Sequence, residues 1–326
     1  MTLPYVRGAP YRCHMTAPES SNKTSITVAA VQAAAPLFDR AAALDKAISL
    51  ITRAHTELGA ELIVLPEGFL GGYPKGLDFG ITLGSRTPEG RDLFRRYADA
   101  AIEVPGEEVT AIGDLTRELS CHAVVGAIER RHGTLYCVAL HFGPQGYIGL
   151  HRKLMPTAGE RYLWGQGDGS TMPVIDTGDV RFGAAICWEN YMPLFRASMY
   201  AKDVDIWCAP TVDDREVWLS TMRHIALEGR CFVVSAAQFQ TRANYPDDVI
   251  PVQGNSPETV LIDGGSVIVS PLGEVLAGPL RGAEGILSAE LDLDDLTRAR
   301  FDFDPVGHYA RPDIFTLTTD ETARLT

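Results

Sequence analysis

The chain has 326 residues, of which 45% are hydrophobic and 22% charged, and its formal net charge at neutral pH is −13. A chain of this length and composition can bury a large core, which excludes a mostly disordered protein. Because acidic residues outnumber basic ones and no basic cluster occurs, neither nucleic acid nor an anionic membrane surface is expected as a partner.

The cysteines and the N-terminus indicate a reduced, cytoplasmic protein. No C-x-x-C pair occurs that would suggest zinc or a redox couple, and three of the six cysteines lie in apolar, strand-like runs. Residues 1–24 lack a continuous apolar segment, so they are expected to form a loosely held arm and neither a signal peptide nor a membrane span. Translation beginning at Met15 is an alternative. The cysteines are Cys13, Cys121, Cys137, Cys187, Cys208 and Cys231.

Short apolar runs alternate with longer amphipathic ones in the first half, the pattern of an α/β protein. We predict a strand from Ile26 to Ala33, a helix capped by Asp39 that runs to about Leu58, and a strand over residues 61–67. A glycine-rich loop follows, then helices near residues 89–102 and 106–119, and strands over residues 123–130, 134–142 and 147–153.

The second half repeats this order. Strands are predicted over residues 180–187, 204–210, 231–239, 264–271 and 284–293, and helices over residues 192–203 and 215–229. Two such halves, each a sheet covered by helices on one side, would pack sheet to sheet as a four-layer αββα sandwich. No linker separates the halves, so residues 25–326 are predicted to form one domain. The polar stretch 241–265 is predicted to be a surface loop near the site or an interface.

Three predicted strands end in reactive side chains: Glu67, Lys153 and Cys187. Ligand crevices in sheets covered by helices form beyond the carboxyl ends of strands, which favours a common site. Taken singly, each has a structural explanation, because cysteine is often buried and Glu or Lys after a strand often faces solvent.

A thiol with an unperturbed pKa of about 8.5 needs a cation or a base to act as a nucleophile. Lys153 would supply the positive charge and Glu67 the base. A helix beginning after Met192 and Pro193 would add backbone N–H groups near the sulfur. The sequence contains no G-x-S-x-G, phosphate loop, H-E-x-x-H or G-x-G-x-x-G motif that would indicate another chemistry.

The stretches "LPEGFLGGYPKG", "HRKLMPTAGERYLWGQGDGST", "AAICWENYMPL", "MRHIALEGRCFV" and "FDFDPVGHYARPDIF" resemble the carbon-nitrogen hydrolase superfamily, and the true nitrilases within it. The similarity covers about residues 25–315. It implies an αββα sandwich, with Glu67 as general base, Lys153 as cationic stabiliser and Cys187 as nucleophile. The second glutamate of the superfamily corresponds to Glu160, which would hold Lys153 or the substrate nitrogen in place. Alternatively, Glu160 forms only an ion pair with Arg152 or Arg161.

The resemblance implies an enzyme that hydrolyses small organic nitriles to the carboxylic acid and ammonia without metal or organic cofactor. An amidase or carbamoyl hydrolase using the same groups, and an inactive assembly scaffold, are the alternatives. Nitrilases of this kind form homodimers that associate further into spirals, and the apolar residues in segment 301–326 fit an oligomer interface.

Five further residues are candidates for substrate contact: Trp164, Trp188, Tyr191, Thr157 and Thr211. For the three aromatic residues, core packing is the alternative to lining an apolar pocket. His224 lies on a predicted amphipathic helix and is expected to be structural rather than catalytic.

Overall fold

A computed structural model describes residues 23–324. The predicted arm of residues 1–24 lies almost entirely outside the described residues, as does Met15. The strands are β1 Ser25–Gln32, β2 Leu62–Val64, β3 Ile81–Thr82, β4 Ser85–Arg86, β5 His122–Arg131, β6 Thr134–Gly143, β7 Gly146–Arg152, β8 Val174–Asp176, β9 Arg181–Ala184, β10 Ile206–Thr211, β11 Phe232–Ala237, β12 Phe239–Thr241, β13 Val260–Val269, β14 Val275–Arg281 and β15 Gly285–Asp292. The helices are α1 Arg40–Leu58, α2 Pro88–Ala100, α3 Glu107–Leu119, α4 Pro193–Tyr200, α5 Val217–Gly229 and α6 Asp294–Arg300, with 3-10 turns at Ala158–Tyr162, Gly169–Thr171, Cys187–Tyr191 and Arg242–Asn244.

Two large sheets carry the fold. The first has the order β15-β1-β2-β5-β6-β7, and the second has the order β12-β13-β11-β10-β9-β8 with β14 paired to β13. The strands β1, β2 and β5 run parallel, as do β9, β10 and β11. Residues that follow the carboxyl ends of β2 and β9 can therefore contribute to a site, because ligand crevices form beyond the carboxyl ends of parallel strands.

Three apolar cores separate four layers. Helices α1 and α3 cover the outer face of the first sheet through side chains such as Ile51 and Ile112. Helices α4 and α5 cover the outer face of the second sheet through Phe195 and Met222. A central core between the sheets joins Val28 of β1 to side chains from β9, β10 and β11. The predicted four-layer αββα sandwich is confirmed.

The helix α1 shows how the sequence sets an element's limits. The Asp39 carboxylate accepts the N–H of Ala42 at 2.9 Å, as predicted for its cap. The residue after the helix, Gly59, forms its C-cap. Gly59 has a left-handed φ of 69°, and its N–H donates to the carbonyl of His55. Both limits follow from residues that a local pattern identifies.

The position of strand β15 differs from that expected for a plain repeat of two halves. Strand β15, predicted as the last strand of the second half, pairs antiparallel with β1 along its whole length, from Ser25 opposite Asp292 to Gln32 opposite Gly285. The end of the chain therefore completes the first sheet and links the two halves. No helix in the described part of the chain is long and apolar enough to cross a membrane.

Candidate active site

The structure brings Glu67, Lys153 and Glu160 into one buried hydrogen-bonded chain. The Lys153 ammonium donates to Oε1 of Glu67 at 2.6 Å and to Oε2 of Glu160 at 2.8 Å. The side chains of Glu67 and Lys153 are fully buried. Cys187 lies beside this chain, close enough for its thiol to contribute to the pKa of Glu67. The predicted meeting of the three strand ends therefore occurs.

Glu67 is placed by the backbone that follows β2. The N–H of Leu65 donates to the carbonyl of Val124, which continues the contact with β5. A Cβ on Gly126 would lie 2.0 Å from the Pro66 carbonyl oxygen, so this close approach requires glycine. From the second sheet, the Gln238 side chain donates to the Glu67 carbonyl at 2.8 Å. Both sheets thus fix the base.

Lys153 directly follows β7, and its N–H donates to the carbonyl of Cys137 on β6. Its ammonium lies 5.5 Å from the ring centroid of Trp164, within range of a cation–π contact. Glu160 lies in the 3-10 turn that follows, where its carboxylate also accepts the N–H of Thr157 at 2.6 Å and the hydroxyl of Tyr73 at 2.8 Å. These contacts hold Glu160 on Lys153 rather than on Arg152 or Arg161.

Cys187 lies three residues beyond β9, at the start of a 3-10 turn. Its φ of 50° is left-handed, which is uncommon for a residue other than glycine and stores backbone strain. The Asn190 side chain secures this conformation by donating to the carbonyls of Cys187 and Ala185 at 2.7 and 3.0 Å. The Thr211 hydroxyl, at the end of β10, lies 3.3 Å from the sulfur.

The predicted helix after Met192 and Pro193 is found, but its first turn does not lie directly at the nucleophile. The helix α4 begins at Pro193, which occupies its first turn as predicted, but the 3-10 turn Cys187–Tyr191 intervenes. The backbone N–H groups near the sulfur therefore belong to this short turn.

The electrostatics of the site follow from burial and from an excess of negative charge. Burial raises the pKa of Glu67, and the nearby Glu160 raises it further against the opposing effect of Lys153. Burial alone would lower the pKa of Lys153, but the adjacent carboxylates outweigh it and raise that pKa well above its usual value. Burial and the Glu67 charge raise the pKa of the Cys187 thiol. The resting site therefore holds an ammonium and a neutral thiol next to a strengthened base.

Two features of Glu67 suit it to accept a proton. Its oxygen Oε1 is occupied by Lys153 and by the Cys137 thiol, which lies 3.6 Å away. Its oxygen Oε2 is buried and accepts no hydrogen bond of regular geometry from the described residues. A buried carboxylate oxygen that accepts no hydrogen bond is available to receive a proton.

The five candidate substrate residues fall into two groups. Trp188 and Tyr191 are 41% and 38% exposed and flank the nucleophile, with ring centroids 5.7 Å apart. Trp164 is buried beneath Lys153, where it contacts the ring of Tyr73 edge-on, so core packing describes it better than a pocket wall. Thr157 caps the turn that carries Glu160, and Thr211 contacts the sulfur.

The outer rim of the site is held by a charged pair. The Asp213 carboxylate accepts the indole N–H of Trp188 at 2.8 Å, and the Arg215 guanidinium lies over the same ring at 4.8 Å from its centroid. Arg215 also donates to the Tyr191 hydroxyl at 3.2 Å. His224, in contrast, is exposed on α5 and lies 3.7 Å from Glu228, away from the three reactive groups.

Sequence reasoning missed Tyr73, Cys137 and Glu189. Tyr73 lies in the glycine-rich loop after Glu67, which is the one signal that could have indicated it. The predicted surface loop 241–265 is wrong from Val260 onward, where β13 begins. Its earlier part borders this region, since the Tyr245 hydroxyl donates to the carbonyls of Tyr73 and Lys75. Within the described residues, no group of three or more histidine, cysteine or carboxylate side chains is arranged to hold a metal ion.

Comparison with known proteins decides the family. A family model described as carbon-nitrogen hydrolase matches residues 27–301. The chain belongs to the carbon-nitrogen hydrolase family. A nitrilase of Bradyrhizobium diazoefficiens is 53% identical over 93% of this chain and 94% of its own length. An aliphatic nitrilase of Sinorhizobium fredii is 53% identical over 91% of this chain and 96% of its own length.

A solved structure supports the fold of this carbon-nitrogen hydrolase independently. The carbon-nitrogen hydrolase of Helicobacter pylori superposes with a TM-score of 0.68, at 20% identity, over 90% of this chain and 97% of that one. Identity near one half with nitrilases over almost the whole chain confirms the predicted nitrilase membership. It also confirms the prediction of an enzyme that hydrolyses carbon–nitrogen bonds.

Proposed function

We propose that the protein hydrolyses organic nitriles to the carboxylic acid and ammonia, with Cys187 as nucleophile, Glu67 as general base and Lys153 as cationic stabiliser. The observation that carries this proposal is the buried chain from Glu67 through Lys153 to Glu160, with the neutral Cys187 thiol close enough to influence the pKa of Glu67. A base that gains proton affinity through burial is suited to activate first the thiol and then water.

In the first step, Glu67 accepts the thiol proton while the sulfur forms a bond to the nitrile carbon. The electron pair of the breaking C–N π bond moves to nitrogen, which takes the proton from Glu67, so that the product is a thioimidate and the Glu67 carboxylate is restored. The developing charge on nitrogen is stabilised by the Lys153 ammonium and by the backbone N–H of Trp188 in the turn. Glu160 holds the ammonium in place for this role.

In the second stage, Glu67 takes a proton from water as the water oxygen bonds to the thioimidate carbon. Glu67 passes this proton to nitrogen, and the remaining proton of the added water reaches nitrogen through the same carboxylate, so that the C–N bond breaks, ammonia leaves and a thioester remains. A second water, again activated by Glu67, releases the acid and restores the thiol. If the tetrahedral adduct expels sulfur before ammonia, the product is the amide. No step needs a metal or an organic cofactor.

Nitrile hydrolysis is favoured over hydrolysis of an amide or carbamoyl group because the relatives at about one half identity are nitrilases. An inactive scaffold is disfavoured because the site keeps two carboxylates and an ammonium out of water, a costly arrangement that assembly does not need.

A panel of small aliphatic, aromatic and arylaliphatic nitriles tests the function. We expect ammonia and carboxylic acid in nearly equal amounts with at least one nitrile, and no turnover by Cys187→Ala, which removes the sulfur but little volume. The exposed aromatic rim of Trp188 and Tyr191 favours substrates with an apolar group next to the nitrile. Turnover of the matching amides but of no nitrile would support the amidase alternative. Retained activity in Cys187→Ala would contradict the proposed site.

The proposal extends to a cytoplasmic homo-oligomer in which residues 25–326 form one domain and segment 301–326 lies at the interface. Residues 319–324 of this segment contact the rest of the molecule, for example through a 2.8 Å hydrogen bond between the hydroxyls of Thr319 and Ser198, the latter on α4. The part before them exposes apolar side chains, with Phe301 88% and Phe315 76% exposed. A second copy covering these side chains would remove them from water.

Truncation before Phe301 tests the assembly. We expect the truncated chain to show both a smaller mass by light scattering after size exclusion and a lower activity than the full chain. A fully active monomer, in either the full-length or the truncated sample, would contradict this proposal.

A further inference from the structure

The Glu189 carboxylate is buried two residues after Cys187 and accepts hydrogen bonds from three groups. Its Oε1 accepts the N–H of Leu154 at 2.6 Å, and its Oε2 accepts the N–H of Ile186 at 2.8 Å. The His151 ring donates through Nε2 to the same carboxylate at 2.9 Å. The side chains of Glu189 and His151 are fully buried.

The two backbone donors are neighbours of reactive residues in different sheets. Leu154 follows Lys153 at the end of β7 in the first sheet, and Ile186 precedes Cys187 after β9 in the second. One carboxylate therefore spans the gap between the sheets, with one oxygen on each side. Movement of either strand end would break one of these two bonds.

The charge of Glu189 is balanced by His151. The Nδ1 atom of His151 lies 2.6 Å from the carbonyl oxygen of Thr171, which can only accept a hydrogen bond. The Nε2 atom faces a carboxylate that already accepts two N–H groups, so it too carries a proton. Both ring nitrogens are thus donors and the ring is an imidazolium. Burial acts to lower the pKa of His151, but Glu189 outweighs it and the pKa is raised, in agreement with this geometry.

We propose that Glu189 is a positioning residue that fixes the Cys187 sulfur relative to the Lys153 ammonium by binding the backbone on both sides of the site. This inference rests on the proposed function, because it assigns Glu189 a part in that reaction. The role requires a carboxylate, since both backbone partners are donors. A carboxamide offers one acceptor, and its NH₂ group would face the other backbone N–H.

Glu189→Gln tests the inference with nearly unchanged volume. We expect kcat per folded site to fall by about 100-fold, the loss typical of a displacement near 1 Å at reacting groups, with a much smaller change in KM. The rate at which iodoacetamide alkylates Cys187 in the folded protein should change as well, measured by mass spectrometry of the Cys187 peptide. A role in stability alone would lower the melting temperature and leave both quantities unchanged.

Asp205→Asn is the matched control. Asp205 is a buried carboxylate that accepts the N–H of Arg181 at 2.9 Å, at the opposite end of β9 from Cys187. The same carboxylate-to-carboxamide change there should lower stability and leave kcat and the alkylation rate close to those of the unaltered protein.

A Glu189→Gln variant with the kcat and alkylation rate of the control would overturn the inference. If Glu189→Gln does not fold, Glu189→Asp takes its place, because it keeps the charge facing His151 but is too short to bind both backbone groups. Normal kcat in Glu189→Asp would overturn the inference equally. Turnover by Cys187→Ala marks a failure of the proposed function, whereas an inactive Cys187→Ala with a normal Glu189→Gln marks a failure of the positioning role alone.

Discussion

Removing the Thr211 hydroxyl tests how the Cys187 nucleophile is activated. This hydroxyl lies 3.3 Å from the Cys187 sulfur and accepts the N–H of Asp213 at 2.9 Å, which directs its own hydrogen toward the sulfur. When the thiol loses its proton, this contact becomes a hydrogen bond to a charged group, worth about 1.5–3 kcal/mol. Thr211→Val keeps the side-chain shape and removes the donor.

We expect Thr211→Val to raise the pKa of Cys187 by about one to two units, since one unit corresponds to about 1.4 kcal/mol. The same energy lost from the attacking sulfur predicts a fall in kcat/KM of about 10- to 100-fold. The assays are kcat/KM for a nitrile substrate and the pH dependence of Cys187 alkylation. Because kcat/KM reports the first covalent step, it should respond even if release of the acid limits kcat.

Thr211→Ser is the control, because it keeps the hydroxyl and should remain within a few-fold of the unaltered protein. The valine variant also leaves the N–H of Asp213 without its acceptor, and Asp213 holds Trp188. A disturbed rim alone would raise KM without changing the alkylation profile. The reasoning would be refuted if Thr211→Val had a kcat/KM within twofold of the unaltered protein and an unshifted pH profile of Cys187 alkylation.

Further predictions concern the other buried groups. Lys153→Arg should lose nearly all turnover despite keeping its charge, because a planar guanidinium does not fit between Glu67 and Glu160 where the ammonium is fully buried; near-normal kcat would contradict this. Glu67→Gln should bind a nitrile with unchanged affinity and fail to turn it over, as measured by isothermal titration and ammonia release, whereas a rate near that of the unaltered protein would exclude Glu67 as the base. Acid should destabilise the fold through His141, whose pKa burial lowers to about 3. This ring is neutral in the folded protein and protonates in the unfolded chain below about pH 6.5, so its stabilising contribution is complete above that pH and is lost as the pH falls toward 3, by about 1.4 kcal/mol per pH unit. Chemical denaturation at several pH values should show a flatter slope for His141→Phe and an unchanged slope for the exposed control His224→Gln; equal slopes in all three proteins would contradict the assignment.

The residues that sequence reasoning identified are those with a local signal. Asp39 precedes an amphipathic run and is found as the cap of α1, and Glu67, Lys153 and Cys187 follow apolar runs and are found together. Strand ends can be recognised because the apolar pattern stops there, and side chains beyond the end are released from packing. Glu160 was identified only through the resemblance to nitrilases.

The remaining features depend on contacts between distant parts of the chain. Strand β15 resembles other strands of the second half, but its pairing with β1 joins residues more than 250 positions apart. Cys137 lies in the middle of β6 and has the pattern of a buried filler, and only its distance of 3.6 Å from Glu67 gives it a place in the site. Glu189 lies in a turn, where a carboxylate is normally exposed, and it is buried because two backbone N–H groups and His151 face it.

One cause explains the three pKa shifts at the site and limits how the reaction can begin. Burial strengthens every charge interaction, so that two carboxylates keep Lys153 protonated while their negative charge opposes ionisation of Cys187. A resting thiolate is therefore disfavoured, and the cation at Lys153 does not create one. The same burial raises the pKa of Glu67, which makes it a stronger base toward the thiol beside it. In the proposed mechanism, proton transfer to Glu67 and attack on the nitrile therefore occur together, because the negative charge passes from the sulfur to a nitrogen that Lys153 would stabilise. Without a substrate to take that charge, the sulfur is a weaker nucleophile, which slows the reaction of the buried thiol with other electrophiles between turnovers.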